Sequence, residues 1–203
     1  TIPELITTTL LIGSVGAIII PILTQCKQKE SKEVFFKTYS SIINITVISF
    51  GLLSAILIAF GDVLFPFFLA TFIKPVNPLS AEEITRIVNM MRVLLIPQLI
   101  LGISVFISSG LNLYDRYIVP QLSGLFFNVG RLFSILIFVP LLDFSPWALV
   151  IGVIVGALLH LVIQIPLFIK LKINYYPVIS IKNNYLIEIA RVGIPRMFAL
   201  ASD

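Results

Sequence analysis

Five apolar stretches follow one another along the chain, near residues 5–25, 38–60, 87–112, 118–140 and 147–170. Each approaches or exceeds the roughly 20 residues a helix needs to cross a hydrocarbon core about 30 Å thick. A sixth stretch begins near Tyr185 and stops at Asp203, and the chain opens at Thr1 without a methionine, so the expectation is a piece of a longer protein. The composition agrees with membrane residence: 58% of residues are hydrophobic and 12% charged, with mean hydropathy +1.07, against about 25% charged in soluble domains. The expected fold class is therefore an all-α integral membrane protein, a polytopic transmembrane helix bundle. The first stretch lacks a basic leader and a small-residue cleavage site, which argues against a signal peptide. One cysteine, Cys26, and one histidine, His160, exclude an intramolecular disulfide and a Cys/His zinc site.

The net charge of +4 sits in the connections, a pattern of membrane orientation and not of nucleic-acid binding. Lys27, Lys29, Lys32 and Lys37 follow the first stretch, and Lys170, Lys172, Lys182 and Arg191 follow the fifth. The connection 61–86 sets Asp62, Glu82 and Glu83 against Lys74 and Arg86, and the turn "PLLDFSPW" holds only Asp143. Lysine-rich loops are cytoplasmic by the positive-inside rule. Thr1 and residues 61–85 and 141–146 are then outside, and residues 26–37, 113–117 and 171–184 inside. "VLFPFFLATFIKP" is expected to extend the second span, because it lacks the charged face of a surface-lying helix.

With Arg131 as zero on a helical wheel, Gly124, Asn128, Ser134, Ser123 and Gln121 fall within roughly 80° of it. Leu122, Leu125, Phe126, Val129, Phe133, Leu136 and Ile137 fill the other side. Arg131 is thus expected to point toward other helices or a wet cavity, where intramembrane charges are normally found. Three readings stay open for it: a packing role through backbone carbonyls and Asn128, an ion pair with a carboxylate in the rest of the full protein, or contact with the anionic head of a substrate. In the second span, Ser40, Ser41, Asn44, Gly51, Ser54 and Ala55 read as a close helix–helix interface. In the fifth, Ala148, Gly152 and Gly156 precede His160 and Gln164, and the GxxxG match reads as packing within the chain. His160 is either a proton relay or a hydrogen-bonded packing residue. Pro97, Pro120 and Pro166 are candidate kinks.

"GLNLYDRYIVPQLSGLFFNVG" resembles the MurJ (MviN) family of lipid II flippases in the MOP exporter superfamily, through Gly110, Leu111, Asn112, Tyr117, Pro120, Leu122 and Asn128. "TIPELITTTLLIGSVGAIIIPILTQ" is similar to that family's second helix, with Gly13, Ile20 and Pro21. "GVIVGALLHLVIQIPLFIKL" is similar to the sixth, with Gly152, Gly156, Gln164 and Pro166, and "YLIEIARVGIPRMFAL" to the start of the seventh, with Pro195 and Arg196. The resemblance implies helices two to about seven of a fourteen-helix transporter in the bacterial cytoplasmic membrane, with the orientation the lysines give. It implies translocation of an anionic lipid-linked peptidoglycan precursor by alternating access. The implied partners are the bilayer, that substrate and the remaining helices of the full chain, with no nucleic acid, cofactor or metal. Thr7 and Thr8 stand where the family usually has an arginine pair, and Ile12 replaces a small acidic motif. The rival expectations are a carrier of another substrate in the same superfamily and a transport-inactive scaffold. No nucleophile with a base, no paired carboxylates and no phosphate-cradling glycine loop points to an enzyme.

Overall fold

The computed structural model describes residues 18–68, 80–180 and 182–202. Thr7, Thr8, Ile12 and Gly13, and most of the first apolar stretch, lie outside the described residues. Described residues begin with α1 (Ile20–Lys29), which ends on Lys27 and Lys29, cations that suit the negative end of a helix dipole. Next come α2 (Lys32–Phe68), α3 (Ala81–Asn112) and α4 (Ile118–Phe133). A π-helical turn, Ser134–Phe138, and a last turn, Val139–Leu141, continue α4. They are followed by α5 (Trp147–Val162), the short α6 (Ile165–Lys170) and α7 (Asn184–Ser202). Four helical segments are long and apolar enough to cross a membrane: Lys32–Phe67, Ala81–Asn112, Ile118–Leu141 and Trp147–Lys170.

Two of these spans outrun their sequence-based bounds for local reasons. At its start α2 takes in the charged "KEVFFK", where Glu33 occupies the first turn and Lys37 Nζ reaches Glu33 Oε1 at 2.6 Å one turn on. At its far end it runs through "VLFPFF" to Phe68, in line with the expected extension; residues 69–79 lie outside the described residues. With 37 residues α2 is about 55 Å long, longer than the bilayer's hydrocarbon core. For α3 the signal is a capping box, Glu83 N donating to Ser80 Oγ at 3.2 Å and Ser80 N to Glu83 Oε2 at 2.8 Å. It starts the helix at Ala81 instead of residue 87.

The prolines behave differently from one another. Pro97 sits inside α3 without ending it, and Pro120 lies in the first turn of α4. Pro166 follows a break at Ile163 and Gln164 that separates α5 from α6. The π turn precedes Pro140, which lacks an N–H to continue the helical ladder.

The helices pack in a row, α4 on α5, α5 on α3 and α3 on α2, with α1 and α7 packed on each other and on α2. The tightest joint is α4 with α5. A Cβ built at Gly130 would lie 2.5 Å from Gly156 Cα, one at Gly156 would lie 2.6 Å from Phe127 O, and one at Gly152 would overlap the Ser134 side chain. The small residues thus bring the two backbones together within the chain, as the GxxxG spacing leads one to expect. At the lysine-rich end Leu23, Cys26, Phe35, Tyr39, Ile42, Phe106 and Ile173 form the main apolar core.

The polar face of α2 departs from expectation. Ser40, Ser41 and Asn44 hold the extended segment 173–180 that leads from α6 toward α7, where a helix interface was expected. Tyr176 N donates to Ser40 Oγ at 3.0 Å and Ser180 N to Ser41 Oγ at 3.2 Å, while Asn44 Nδ2 donates to the carbonyls of Tyr176 and Val178 at 3.2 and 2.9 Å. Asn183 Nδ2 adds a bond to Thr38 Oγ1 at 2.7 Å. A segment without helix or ladder still needs partners for its backbone, and hydroxyl and amide side chains supply them.

Candidate functional site

Two polar features lie on the α3, α4 and α5 spans, one closed and one open. The closed one joins the three helices around His160. Ser123 Oγ donates to Pro120 O at 2.6 Å, so the 3.0 Å contact between Ser123 Oγ and His160 Nε2 has the ring nitrogen as donor. Nδ1 is then the acceptor, taking the Ser104 hydroxyl at 2.6 Å. Gln164 Nε2 donates to Ser104 Oγ at 2.8 Å and to His160 O at 2.9 Å, and its Oε1 accepts from Ser108 Oγ at 2.7 Å. The donors run in one direction from Ser108 to Pro120, and every member is satisfied. Gln164 is fully buried at the break after α5, where the interrupted helix frees the space it fills. Phe127 meets the His160 ring edge-on with centroids 6.4 Å apart. His160 therefore sits in a hydrogen-bonded joint of α3, α4 and α5, and no carboxylate contacts its ring among the described residues.

Replacing Gln164 by Leu leaves the Ser108 hydroxyl and His160 carbonyl without these partners. Buried unpaired groups cost about 1–3 kcal/mol each in soluble proteins and intramembrane bonds average about 0.6 kcal/mol. The expected loss for Gln164→Leu is about 1–2 kcal/mol, read as a fall of several degrees in the thermal midpoint of the detergent-solubilised full chain. An unchanged midpoint would show that the network does not bind the three helices.

The open feature is half of the stripe centred on Arg131. Ser123, Gly130 and Ser134 turn against α5, where Ser134 Oγ donates to Ala148 O. Gln121, Asn128 and Arg131 are exposed, and a Cβ at Gly124 would meet nothing within 4 Å. Asn128 Nδ2 turns back to Gly124 O at 3.2 Å, and the Arg131 guanidinium lies over the Phe127 ring, 5.7 Å from its centroid. The structure does not bring Arg131 and Asn128 into a mutual hydrogen bond, and among the described residues no carboxylate pairs with Arg131. The one stripe expected from the wheel is two: a packed edge and an exposed edge bearing the charge.

An ion pair between spans lay outside the sequence reading. Arg92 Nη2 meets Asp62 Oδ2 at 2.7 Å, while its Nε donates to Ile58 O at 3.0 Å and its Nη1 to Asn89 Oδ1 at 3.3 Å. Asp62 belongs to a connection in the sequence reading, but the longer α2 makes it part of a span, where Arg92 engages its carboxylate. In the turn between α3 and α4, Lys27 donates to Leu113 O and stacks 3.9 Å from the centroid of the Tyr114 ring. There the Asp115 carboxylate accepts from the Tyr117 hydroxyl at 2.9 Å and holds that phenol above its ordinary pKa.

Membrane-length helices, small-residue joints and an exposed polar edge bearing Arg131 define a multi-pass membrane bundle whose polar chemistry is spread along helix faces. The family model described as "Lipid II flippase MurJ" matches residues 1–202, and the chain belongs to that family. It is 24% identical over 190 residues to the "Probable lipid II flippase MurJ" of Buchnera aphidicola subsp. Schizaphis graminum (strain Sg), a match covering 94% of this chain and 36% of the relative. The chain thus spans about a third of that relative's length. Family and helices together make it a multi-pass protein of the bacterial cytoplasmic membrane.

Proposed function

We propose that the full protein moves lipid II, an anionic lipid-linked peptidoglycan precursor, from the inner to the outer leaflet by alternating access, and that this chain supplies its helices two to about seven. The match of the family model to residues 1–202 carries this reading. No covalent bond is made or broken in such a step; the work is transfer of a charged head group through a polar path. Arg131, with Asn128 beside it, forms part of that path and meets the substrate's anionic head. The support is the exposure of both side chains and the lack of a carboxylate on the guanidinium among the described residues, since a charge kept in a membrane helix at a cost of about 2.5–3.5 kcal/mol calls for a use. His160 serves the packing of α3, α4 and α5, in keeping with its two hydroxyl partners.

The test is reconstitution of the full-length protein into vesicles carrying fluorescent lipid II, scored by how fast the label becomes accessible from the opposite leaflet. Movement well above that of protein-free vesicles is expected; equality with them would overturn the proposal. Orientation is checked separately. With Cys26 replaced, Ser31→Cys is expected to resist an impermeant thiol reagent in intact cells and Glu82→Cys to react. The reverse pattern would overturn the assignment of lysine-rich loops to the cytoplasm.

A further inference from the structure

At the lysine-rich end a groove of about 610 Å³ runs between α2 and α3 and is closed below by α6 and the extended segment 173–180. Its walls include Ile43 and Val47 of α2, Ile103 and Ile107 of α3, and Phe168 of α6. Its outer lip is apolar too, Ile48 and Ile103 being 50% and 37% exposed. The polar groups of the groove gather at the end formed by the extended segment, where the Tyr175 hydroxyl donates to Asn44 Oδ1 at 2.5 Å beside Asn174. An apolar trough with one polar end, set in a membrane-spanning face, has the shape of a lipid tail followed by its head group.

Charge completes the match. From Lys170 to Ile187 the chain carries Lys170, Lys172 and Lys182 and not one Asp or Glu. Lys27 and Lys37 are spent on Leu113 O and Glu33. Lys170 and Lys172 are exposed, each two residues along the chain from a residue of the groove wall, Phe168 and Asn174, and no described acid contacts them. Basic clusters at the membrane surface attract anionic lipids. A helix about 10–12 Å across is too thick for a cleft of this volume, whereas one hydrocarbon chain can bend into it.

We infer that this groove is a binding site for an anionic phospholipid of the inner leaflet, its acyl chain between α2 and α3 and its head group against Lys170 and Lys172. The lipid is a resident of the site and not cargo, so the inference does not depend on what the full protein transports. It fills the cleft between two spans that otherwise meet over only part of their length.

The test uses the full-length protein in detergent, native mass spectrometry, and added phosphatidylglycerol or phosphatidylethanolamine. Phosphatidylglycerol is expected to give a retained adduct at concentrations where phosphatidylethanolamine gives at least fivefold less. The double substitution Lys170→Gln with Lys172→Gln should cut phosphatidylglycerol occupancy by a similar factor, and Ile103→Trp, which fills the groove, should remove it. Should Ile103→Trp fail to fold, Ile48→Trp at the exposed lip replaces it. Equal retention of the two lipids, or phosphatidylglycerol binding untouched by the lysine or tryptophan substitutions, overturns the inference. Displacement of phosphatidylglycerol by a polyprenyl phosphate, mole for mole, would assign the groove to a transported lipid and overturn it equally.

Discussion

Gly156→Leu is expected to abolish accumulation of folded, monodisperse protein. Its Cβ alone would stand 2.6 Å from Phe127 O and 3.0 Å from Phe127 Cδ2, and the facing Gly130 leaves the α4 backbone no room to slide. Backbone cannot rotate out of the way as a side-chain tip can, so α4 must lift off α5. That movement also breaks the Ser123–His160 and Ser134–Ala148 hydrogen bonds. Overpacking in a tight core costs about 1–3 kcal/mol; with two interhelical bonds of about 0.6 kcal/mol each added, the loss reaches about 2–4 kcal/mol, a large share of a margin of about 5–15 kcal/mol. Gly51→Leu is the control, because a Cβ there meets nothing within 4 Å. Size-exclusion profiles of the two variants settle the matter: a normal Gly156→Leu peak would show that the α4–α5 joint is looser than described.

Arg131→Gln is expected to fold normally and to fail in transport. The side chain is exposed and, among the described residues, rests on the Phe127 ring, so its loss opens no cavity there, and removing a charge from a membrane helix eases insertion. A hydrogen bond to a charged group is worth about 1.5–3 kcal/mol, which corresponds to a fall in rate of roughly 10-fold to 150-fold if the contact is made in the rate-limiting step. Arg131→Lys keeps the charge without the planar fork and should retain part of the activity. The readouts are complementation of a depleted strain and protein level in its membranes. Full complementation by Arg131→Gln would remove Arg131 from the substrate path. Failure of both variants to accumulate would make it a structural residue.

The membrane class, the four described spans and the use of the small residues of α5 for packing within the chain could be read from the sequence because each rests on a local pattern, apolar length or small residues four apart; that α4 is the partner could not. Span ends were less legible, since the charged "KEVFFK" and "SAEE" look like loop although one carries an i,i+4 ion pair and the other a capping box. The capping box is a sequence signal and could have been used to place the start at Ala81. The relation of Ser104 and Ser108 to Gln164, 60 and 56 residues on, has no such local signature. Nor does that of Asp62 to Arg92, for which the helix had first to be carried past residue 60. The wheel placed Arg131 and Ser134 on one face correctly, but only the position of α5 decides that Ser134 packs and Arg131 does not.

The hold of α2 on the segment 173–180 has a consequence for biosynthesis. Thr38, Ser40, Ser41 and Asn44 are made long before their partners: Ser41 precedes Val178 by 137 residues and Thr38 precedes Asn183 by 145. At roughly 5–20 residues per second, the ribosome needs on the order of 10 s to supply the missing half. Through that interval four polar side chains of a nascent span, three of them fully buried at the end, have only interfacial water or the insertion machinery for company. Slowing elongation between the codons for Asn44 and Tyr175 should therefore increase degradation of the newly made chain, and speeding it should not.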